Sequence, residues 1–219
     1  MTCAIVAVQG AFIEHASSLE ALGEKAFEIR QKTDLEKPFD RLILPGGEST
    51  VQGRLIRELD MFDPLHEAIL GGMPVMGTCA GLILLAQSIA GRGDLLDQDG
   101  RLGRSPSSDG FKDETGVSCE ESASEVVRFK TFPISVIRNG YGRQLGSFKS
   151  FGSFAGQEDV PMTFIRAPRI AEILSEDVEV LAQVEGSPVA ARYGNQLVTA
   201  FHPELDDDER ILEYFLSMS

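Results

Sequence analysis

Three short apolar runs in the first ninety residues do not alternate with polar residues. Each is halted by glycine, proline or a polar turn and then followed by a helical repeat. Cys3–Val8 (CAIVAV) stops at Gln9-Gly10, Arg41–Leu44 (RLIL) stops at Pro45-Gly46-Gly47, and Pro74–Gly77 (PVMG) runs into Thr78-Cys79. A strand that is apolar on both faces must be covered on both faces. Strands of that kind separated by helices make a parallel sheet with helices on either side. The expected fold class is therefore α/β, a doubly wound, mostly parallel sheet flanked by helices. In such sheets ligands bind beyond the carboxyl ends of the strands. Gln9, the Pro45-Gly46-Gly47 turn and Cys79 all fall at such ends and converge on one rim.

The helices between these strands are legible from their period. Phe12, Ala16, Leu19 and Leu22 share one face and Gly23 closes that helix. Lys25–Arg30 reads as a further strand, and 49–59 and 64–70 read as helices. Leu82, Leu85, Ala86 and Ile89 continue as one helical face after Cys79. The second half is richer in strands, expected at 134–139, 163–168, 178–184, 188–194 and 195–203, with Gly194-Asn195 as a hairpin turn between the last two. A closing helix from about Asp206 carries Ile211, Leu212, Phe215 and Leu216 as its buried stripe. A length of 219 residues with 42% hydrophobic composition suits one domain, residues 1–219. Residues 97–133 differ in character, rich in Ser, Gly, Asp and Glu, and read as an insertion. Between Asp109 and Glu125 Lys112 is the only cation, so that stretch is expected to stay solvated.

A net charge of −14 argues against nucleic acid and anionic membrane as partners. No apolar run approaches the roughly 20 residues that span a bilayer. The opening MTCAIVAVQG has neither a basic leader nor a small-residue cleavage site. The three cysteines, an odd number without metal-ligand spacing, are expected to be reduced thiols in a cytoplasmic protein.

One of those thiols stands where chemistry is done. Gly77-Thr78-Cys79-Ala80-Gly81 between a strand and a helix is the nucleophile-elbow pattern with Cys in place of Ser. The turn needs residues without bulk on either side, and the following helix start favours thiolate. A buried structural cysteine between two glycines reads the same way from this pentapeptide alone. The segment AFHPEL adds His202 after a strand and Glu204 two residues on. In an extended chain both would share a face, with Glu204 orienting the imidazole and His202 serving Cys79 as base. His15 and His66 lie in helical patterns without a matching partner and read as ordinary residues. Gly46-Gly47, between strand and helix, reads as a turn whose backbone N–H is available to an oxyanion.

Together these pieces resemble the class I (triad) glutamine amidotransferases. Val8-Gln9-Gly10-Ala11 with Glu14-His15, then LPGGEST, GTCAGLILLA, RNGYGRQ, FIRAP and FHPEL, recur in the order seen in the glutaminase subunit of pyridoxal 5′-phosphate synthase, the PdxT family. RNGYGRQ and FIRAP are what point to that family within the class. The resemblance implies a flavodoxin-like sheet, Cys79 as nucleophile, His202 as base and Glu204 as its orienter. It implies oxyanion donors at Gly47 and Ala80 and a glutamine site at Gly47, Glu48, Ser49, Arg138, Ile165 and Arg166. Gln9 would sit near the oxyanion pocket and the partner interface. A guanidinium is the natural bidentate partner of glutamine's α-carboxylate, which agrees with the two arginines.

The reaction so implied is hydrolysis of L-glutamine to L-glutamate and ammonia, without metal or other cofactor. Pyridoxal 5′-phosphate would be the product of the complex. The partner would be a separate TIM-barrel synthase subunit in a hetero-oligomeric complex that takes up the ammonia. Two departures stand out. Val51 replaces the family's usual Thr, and 97–133 occupies a connection that the family makes in a few residues. That stretch is a solvated loop or a contact with the synthase, the latter anchored by Val126, Val127 and Phe129. Two rivals remain at this stage: a class I glutaminase of another pathway, and a non-catalytic redox sensor with an elbow cysteine. The pair His202 and Glu204 speaks against the sensor.

Overall fold

The computed structural model describes residues 1–90, 126–140 and 147–219. The chain opens with β1 (Thr2–Val6), α1 (Phe12–Ala21), β2 (Lys25–Ile29), β3 (Arg41–Leu44), α2 (Ser49–Glu58), α3 (Phe62–Leu70) and β4 (Val75–Thr78). Then come α4 (Ala80–Leu85), β5 (Ala86–Ile89), β6 (Phe132–Ile137), β7 (Ser147–Phe154), β8 (Gln157–Ile165) and β9 (Arg169–Ile173). The chain finishes with β10 (Glu179–Val184), β11 (Ser187–Tyr193), β12 (Gln196–Thr199) and α5 (Arg210–Ser217).

Nine strands form the main sheet in the order β2-β1-β3-β4-β12-β11-β10-β7-β8. The first five run parallel to one another and the remaining four antiparallel. The chain moves outward from β1 to β2 and then back across β1 to β3, so the order reverses there and leaves a crevice at the carboxyl ends. The parallel strands are the non-alternating runs of the sequence, and β3, β4 and β12 are buried at every position. A smaller sheet, β5-β6-β9, packs beside the main one.

The expected α/β fold is the one observed, and several element boundaries moved. The helix after Cys79 ends at Leu85, and Ala86–Ile89 is strand β5 paired with β6, not a continuation of the apolar face. No Gly or Pro marks that change. The Leu84 carbonyl accepts the Phe129 N–H at 2.7 Å and the Ala86 carbonyl accepts Arg128 Nη1 at 3.0 Å, so partners distant in sequence take the acceptors that a longer helix would use. The last helix begins at Arg210, not near Asp206. Asp206 is buried and its Oδ1 receives Thr163 Oγ1 at 2.9 Å and Lys149 Nζ at 2.8 Å, while Asp208 Oδ1 receives the Arg210 N–H at 3.1 Å. Strands β7 and β9 were not anticipated. Between β7 and β8, Ala155 and Gly156 both take positive φ, +49° and +80°, the backbone of a two-residue hairpin turn. The Gly194-Asn195 hairpin forms as expected, with Tyr193 facing Gln196.

Of the stretch read as an insertion, 97–125 lies outside the described residues, and so does Cys119. Val126 and Phe129 belong to this chain's own core, 6% and 3% exposed, so they are not an outward anchor for a partner. Phe129 stacks on Phe62 at a centroid distance of 4.9 Å with planes 10° apart, and His66 lies alongside. Val127 backs onto Gly53, where a Cβ would strike the Val127 carbonyl oxygen. Phe129→Ala is expected to cost about 3–5 kcal/mol of folding free energy, read as a lower urea midpoint with an unchanged m-value.

Candidate active site

The strand order sets the carboxyl ends of β1, β3, β4 and β12 side by side, and each delivers one part of the site. At the end of β4, Cys79 takes φ +48° and ψ −92°, a conformation unusual for a residue with a Cβ. It is held there by close packing. A Cβ on Gly77 would meet the Gly81 backbone, and one on Gly81 would collide with the Leu44 carbonyl oxygen of β3. The Cys79 N–H donates to the Thr199 carbonyl of β12 at 2.8 Å. The two glycines of the elbow therefore let strand, turn and helix approach each other, and the turn puts the thiol, 7% exposed, at the rim.

His202 follows β12 and its N–H donates to the Thr163 carbonyl of β8 at 2.8 Å. Its Nδ1 lies 2.7 Å from Glu204 Oε1. Pro203–Leu205 is a 3₁₀ turn, so the pair meets through a tight turn and not through the extended chain that the sequence suggested. The imidazole is backed by Gly46, where a Cβ would run into the ring. Burial works against a positive charge on His202, but hydrogen bonds to Cys79 and Glu204, and the charge of Glu204, more than offset it and raise the imidazole from its ordinary 6.5 to about 10. Burial alone would raise the Glu204 carboxyl. The two imidazoles beside it, His15 and His202, hold it below its ordinary range.

Gln9 ties the β1 end to the β3 end. Its Oε1 accepts the Glu48 N–H at 2.8 Å, and its carbonyl accepts Gln52 Nε2 at 2.8 Å. Gln52 also reaches the Pro45 carbonyl at 3.1 Å and is fully buried, a linking role that the sequence reading missed. A Cβ on Gly47 would strike Gln9 Oε1, so the turn leaves no room for a larger residue. Ala80, directly after the thiol, is buried at the first position of α4.

A cavity of about 310 Å³ opens over the thiol, within the size range of small-molecule sites. Cys79, His202, Gln9, Gly47, Glu48 and Ser49 line it. Arg138, Ile165 and Arg166 belong to the lining as well. Arg138 Nη2 donates to Glu48 Oε1 at 2.8 Å, both side chains partly exposed, and the same oxygen caps α2 through the Thr50 N–H at 3.2 Å. The Ile165 carbonyl lies 3.9 Å from Cys79 Sγ, and Arg166 takes φ +45° as the chain leaves β8. Every residue expected at this site is thus at the cavity except Ala80 and Glu204, which stand directly behind Cys79 and His202. Tyr141–Gln144 of the RNGYGRQ motif lie outside the described residues.

His15 departs from its expected role as an ordinary helical residue. It is 1% exposed on α1, with Nε2 3.2 Å from Thr78 Oγ1 and 3.5 Å from Glu204 Oε2. Its signal in the sequence was the Gln9-Gly10-Ala11 turn, which starts a helix at the same rim as the catalytic motifs. His66, by contrast, packs against Phe62 and Phe129. Among the described residues no group of His, Cys, Asp or Glu is arranged to hold a metal ion, and no helix is long and apolar enough to cross a membrane.

The chain is similar to known proteins along its length. The model of the SNO glutamine amidotransferase family matches residues 5–98 and 116–219. A pyridoxal 5′-phosphate synthase subunit PdxT of Desulfitobacterium hafniense is 48% identical over 217 residues, covering 99% of this chain and 92% of that one. A protein of the same name from Methanocorpusculum labreanum is 46% identical, covering 100% and 97%. A crystal structure of a glutamine amidotransferase superposes with a TM-score of 0.79 at 36% identity, covering 98% and 96%. A putative GMP synthase protein from Thermoplasma acidophilum shares the fold at 15% identity, with a TM-score of 0.61, covering 99% and 92%. With the family model matched along both halves and such identity to its relatives throughout, this chain belongs to the SNO glutamine amidotransferase family.

Proposed function

We propose that the chain is the glutaminase subunit of a pyridoxal 5′-phosphate synthase, hydrolysing L-glutamine to L-glutamate and ammonia. The observation that carries this reading is a thiol on a strained elbow, beside an imidazole hydrogen-bonded to a buried carboxylate, in a cavity that two arginines also line.

Glutamine enters with its α-carboxylate toward Arg138 and Arg166 and its α-ammonium toward Glu48. The Arg138–Glu48 ion pair is partly exposed, and pairs of that kind contribute little, so a substrate carboxylate displaces it at small cost. Cys79 Sγ attacks the side-chain amide carbon after its proton passes to His202. The developing oxyanion is received by the N–H groups of Gly47 and Ala80; losing one such donor typically costs roughly 3–4 kcal/mol. His202, oriented through Nδ1 by Glu204, gives the proton to the leaving nitrogen. Ammonia departs and a glutamyl thioester remains on Cys79. Water, deprotonated by His202, then attacks the thioester, releasing glutamate and the free thiol. No step requires a cofactor.

The ammonia is consumed by a separate TIM-barrel synthase subunit in a hetero-oligomeric complex, which joins it to a pentose phosphate and a triose phosphate. Gln9 and the rim around it face that partner, and the complex works in the cytoplasm. A redox sensor would have no use for a buried carboxylate orienting the imidazole.

Cys79→Ala is expected to abolish glutamate release from the complex while Cys3→Ala, in the β1 core, retains it; a Cys79→Ala enzyme with near wild-type turnover would remove the nucleophile assignment. Arg138→Ala and Arg166→Ala should chiefly raise KM for glutamine and narrow discrimination against an analogue without the α-carboxylate, measured by steady-state kinetics on both compounds. Glu204→Gln should lower kcat by orders of magnitude with a smaller change in KM. The same variant should move the His202 titration down from about 10 toward its ordinary 6.5, seen in the pH dependence of its imidazole NMR signals. The sign for stability follows. A base raised in the folded state contributes in full below its unfolded value of about 6.5, and the contribution is lost as pH climbs through about 10. Glu204→Gln should therefore narrow the gap in stability between pH 6 and pH 10.

A further inference from the structure

Glu204 has two carboxylate oxygens, and the proposed mechanism uses one. Oε1 receives His202 Nδ1, while Oε2 is buried and makes no hydrogen bond of standard geometry among the described residues. The group facing Oε2 is His15 Nε2 at 3.5 Å. The same nitrogen lies 3.2 Å from Thr78 Oγ1, on the residue before the nucleophile. His15 is 1% exposed, and its own Nδ1 is buried without a hydrogen-bond partner among the described residues.

Those contacts fix the tautomer. A hydrogen on Nδ1 would bury a donor with nothing among the described residues to receive it and would turn the bare lone pair of Nε2 toward a carboxylate. A hydrogen on Nε2 faces Thr78 Oγ1 at 3.2 Å and the negative Glu204 Oε2 at 3.5 Å and leaves only a weak acceptor unpaired. Burial lowers the imidazole below its ordinary range, the charge of Glu204 opposing that only in part, so His15 stays neutral with one ring hydrogen to place. Helix α1, which carries His15, packs on the 3₁₀ turn that carries Glu204. The N–H therefore comes from an element rigidly placed against the acid.

We propose that His15 is the positioning residue of this site: its Nε2–H holds Glu204 Oε2, and so fixes the rotation of the carboxylate that presents Oε1 to His202. The inference rests on the reading of His202 as base and Glu204 as its orienter. Through Thr78 the same ring links the acid to the strand that ends in the nucleophile. A carboxylate without this second anchor turns about its last bond, and the imidazole it orients turns with it.

The test compares His15→Leu, which removes the donor and roughly keeps the bulk, with His15→Gln, whose side-chain amide offers an N–H near the same place. Glutamate release is measured in the assembled complex alongside thermal melting of each variant, with Cys79→Ala and Glu204→Gln as references. His15→Leu is expected to lower kcat by about tenfold or more, in the range seen for coupled hydrogen-bonded neighbours, with KM within about twofold of wild type. His15→Gln is expected to recover most of that loss. In the Glu204→Gln background, where the carboxylate is already gone, His15→Leu should change kcat no further. An unchanged kcat in a folded His15→Leu enzyme would overturn the proposal, as would losses in both His15 variants that merely follow their melting temperatures. If His15→Leu does not fold, His15→Asn, whose shorter amide does not reach Glu204 Oε2, takes its place in the same cycle, and independent multiplicative losses with Glu204→Gln overturn the coupling. Activity surviving in Cys79→Ala and Glu204→Gln would instead sink the underlying reading of the site, a different and separately visible failure.

Discussion

The site depends on how closely β4, α4 and β3 approach around Cys79. Gly77 lies against Gly81, and Gly81 against the Leu44 carbonyl, at separations that no Cβ would tolerate. That contact holds the Cys79 backbone at φ +48°, a conformation the residue would not keep on its own. Strain of this kind persists only where the surroundings over-determine it. Here those surroundings include a hydrogen bond from the Cys79 N–H to β12, at 2.8 Å, and a helix too tightly packed to relax. Moving any of these elements outward by the width of a methyl group would release the turn and withdraw the thiol from the imidazole.

Around that fixed thiol the polar groups are arranged in layers of decreasing access. Arg138, Arg166 and Glu48 line the cavity, where a zwitterionic ligand exchanges with their surface partners at little cost. His202 is nearly buried, and Glu204 and His15 lie behind it with almost no exposure. Burial by itself would drive both imidazoles neutral and the acid protonated. The Cys79 thiol and the acid reverse that for His202, the imidazoles reverse it for Glu204, and His15 is left neutral. One carboxylate between two rings of opposite bias is a way to keep a base charged and oriented without exposing it to water.

The parallel half of the sheet was legible because its cause is local: runs apolar on both faces, each with its own stop signal. The residues of the site were legible for the same reason, since Cys79, His202 and the Gly46-Gly47 turn each sit next to a strand end. What the sequence hid was set by partners far away in the chain. Gln87-Ser88 in the middle of β5 carries no strand signal, and the switch from helix to strand at Ala86 follows from pairing with β6 and from the Phe129 and Arg128 contacts. Strand β7, SFKSFGSF, places aromatic residues three apart and reads as neither period, and its hairpin partner supplies its register. His15 looked ordinary because the group that gives it a role stands 189 positions later, on a turn whose 3₁₀ geometry the spacing of His202 and Glu204 did not disclose.

The place of β12 explains why these distant contacts come together at once. It is the last strand of the chain, yet it lies inside the sheet between β4 and β11. Until it inserts, β4 is an open edge, Cys79 lacks the carbonyl that receives its N–H, and His202 has no fixed position. Insertion closes the edge by parallel pairing of Gln196–Thr199 with Val75–Thr78 and carries His202 to the thiol in the same movement. It also delivers Glu204 to His15, which α1 has already set at the rim. Pairings of such sequence separation form late, because their loop closure is costly until other contacts reward it. Strands β11, β10, β7 and β8 join the parallel half of the sheet through β12, so Ile165 and Arg166 at the β8 end come to the rim with the same insertion.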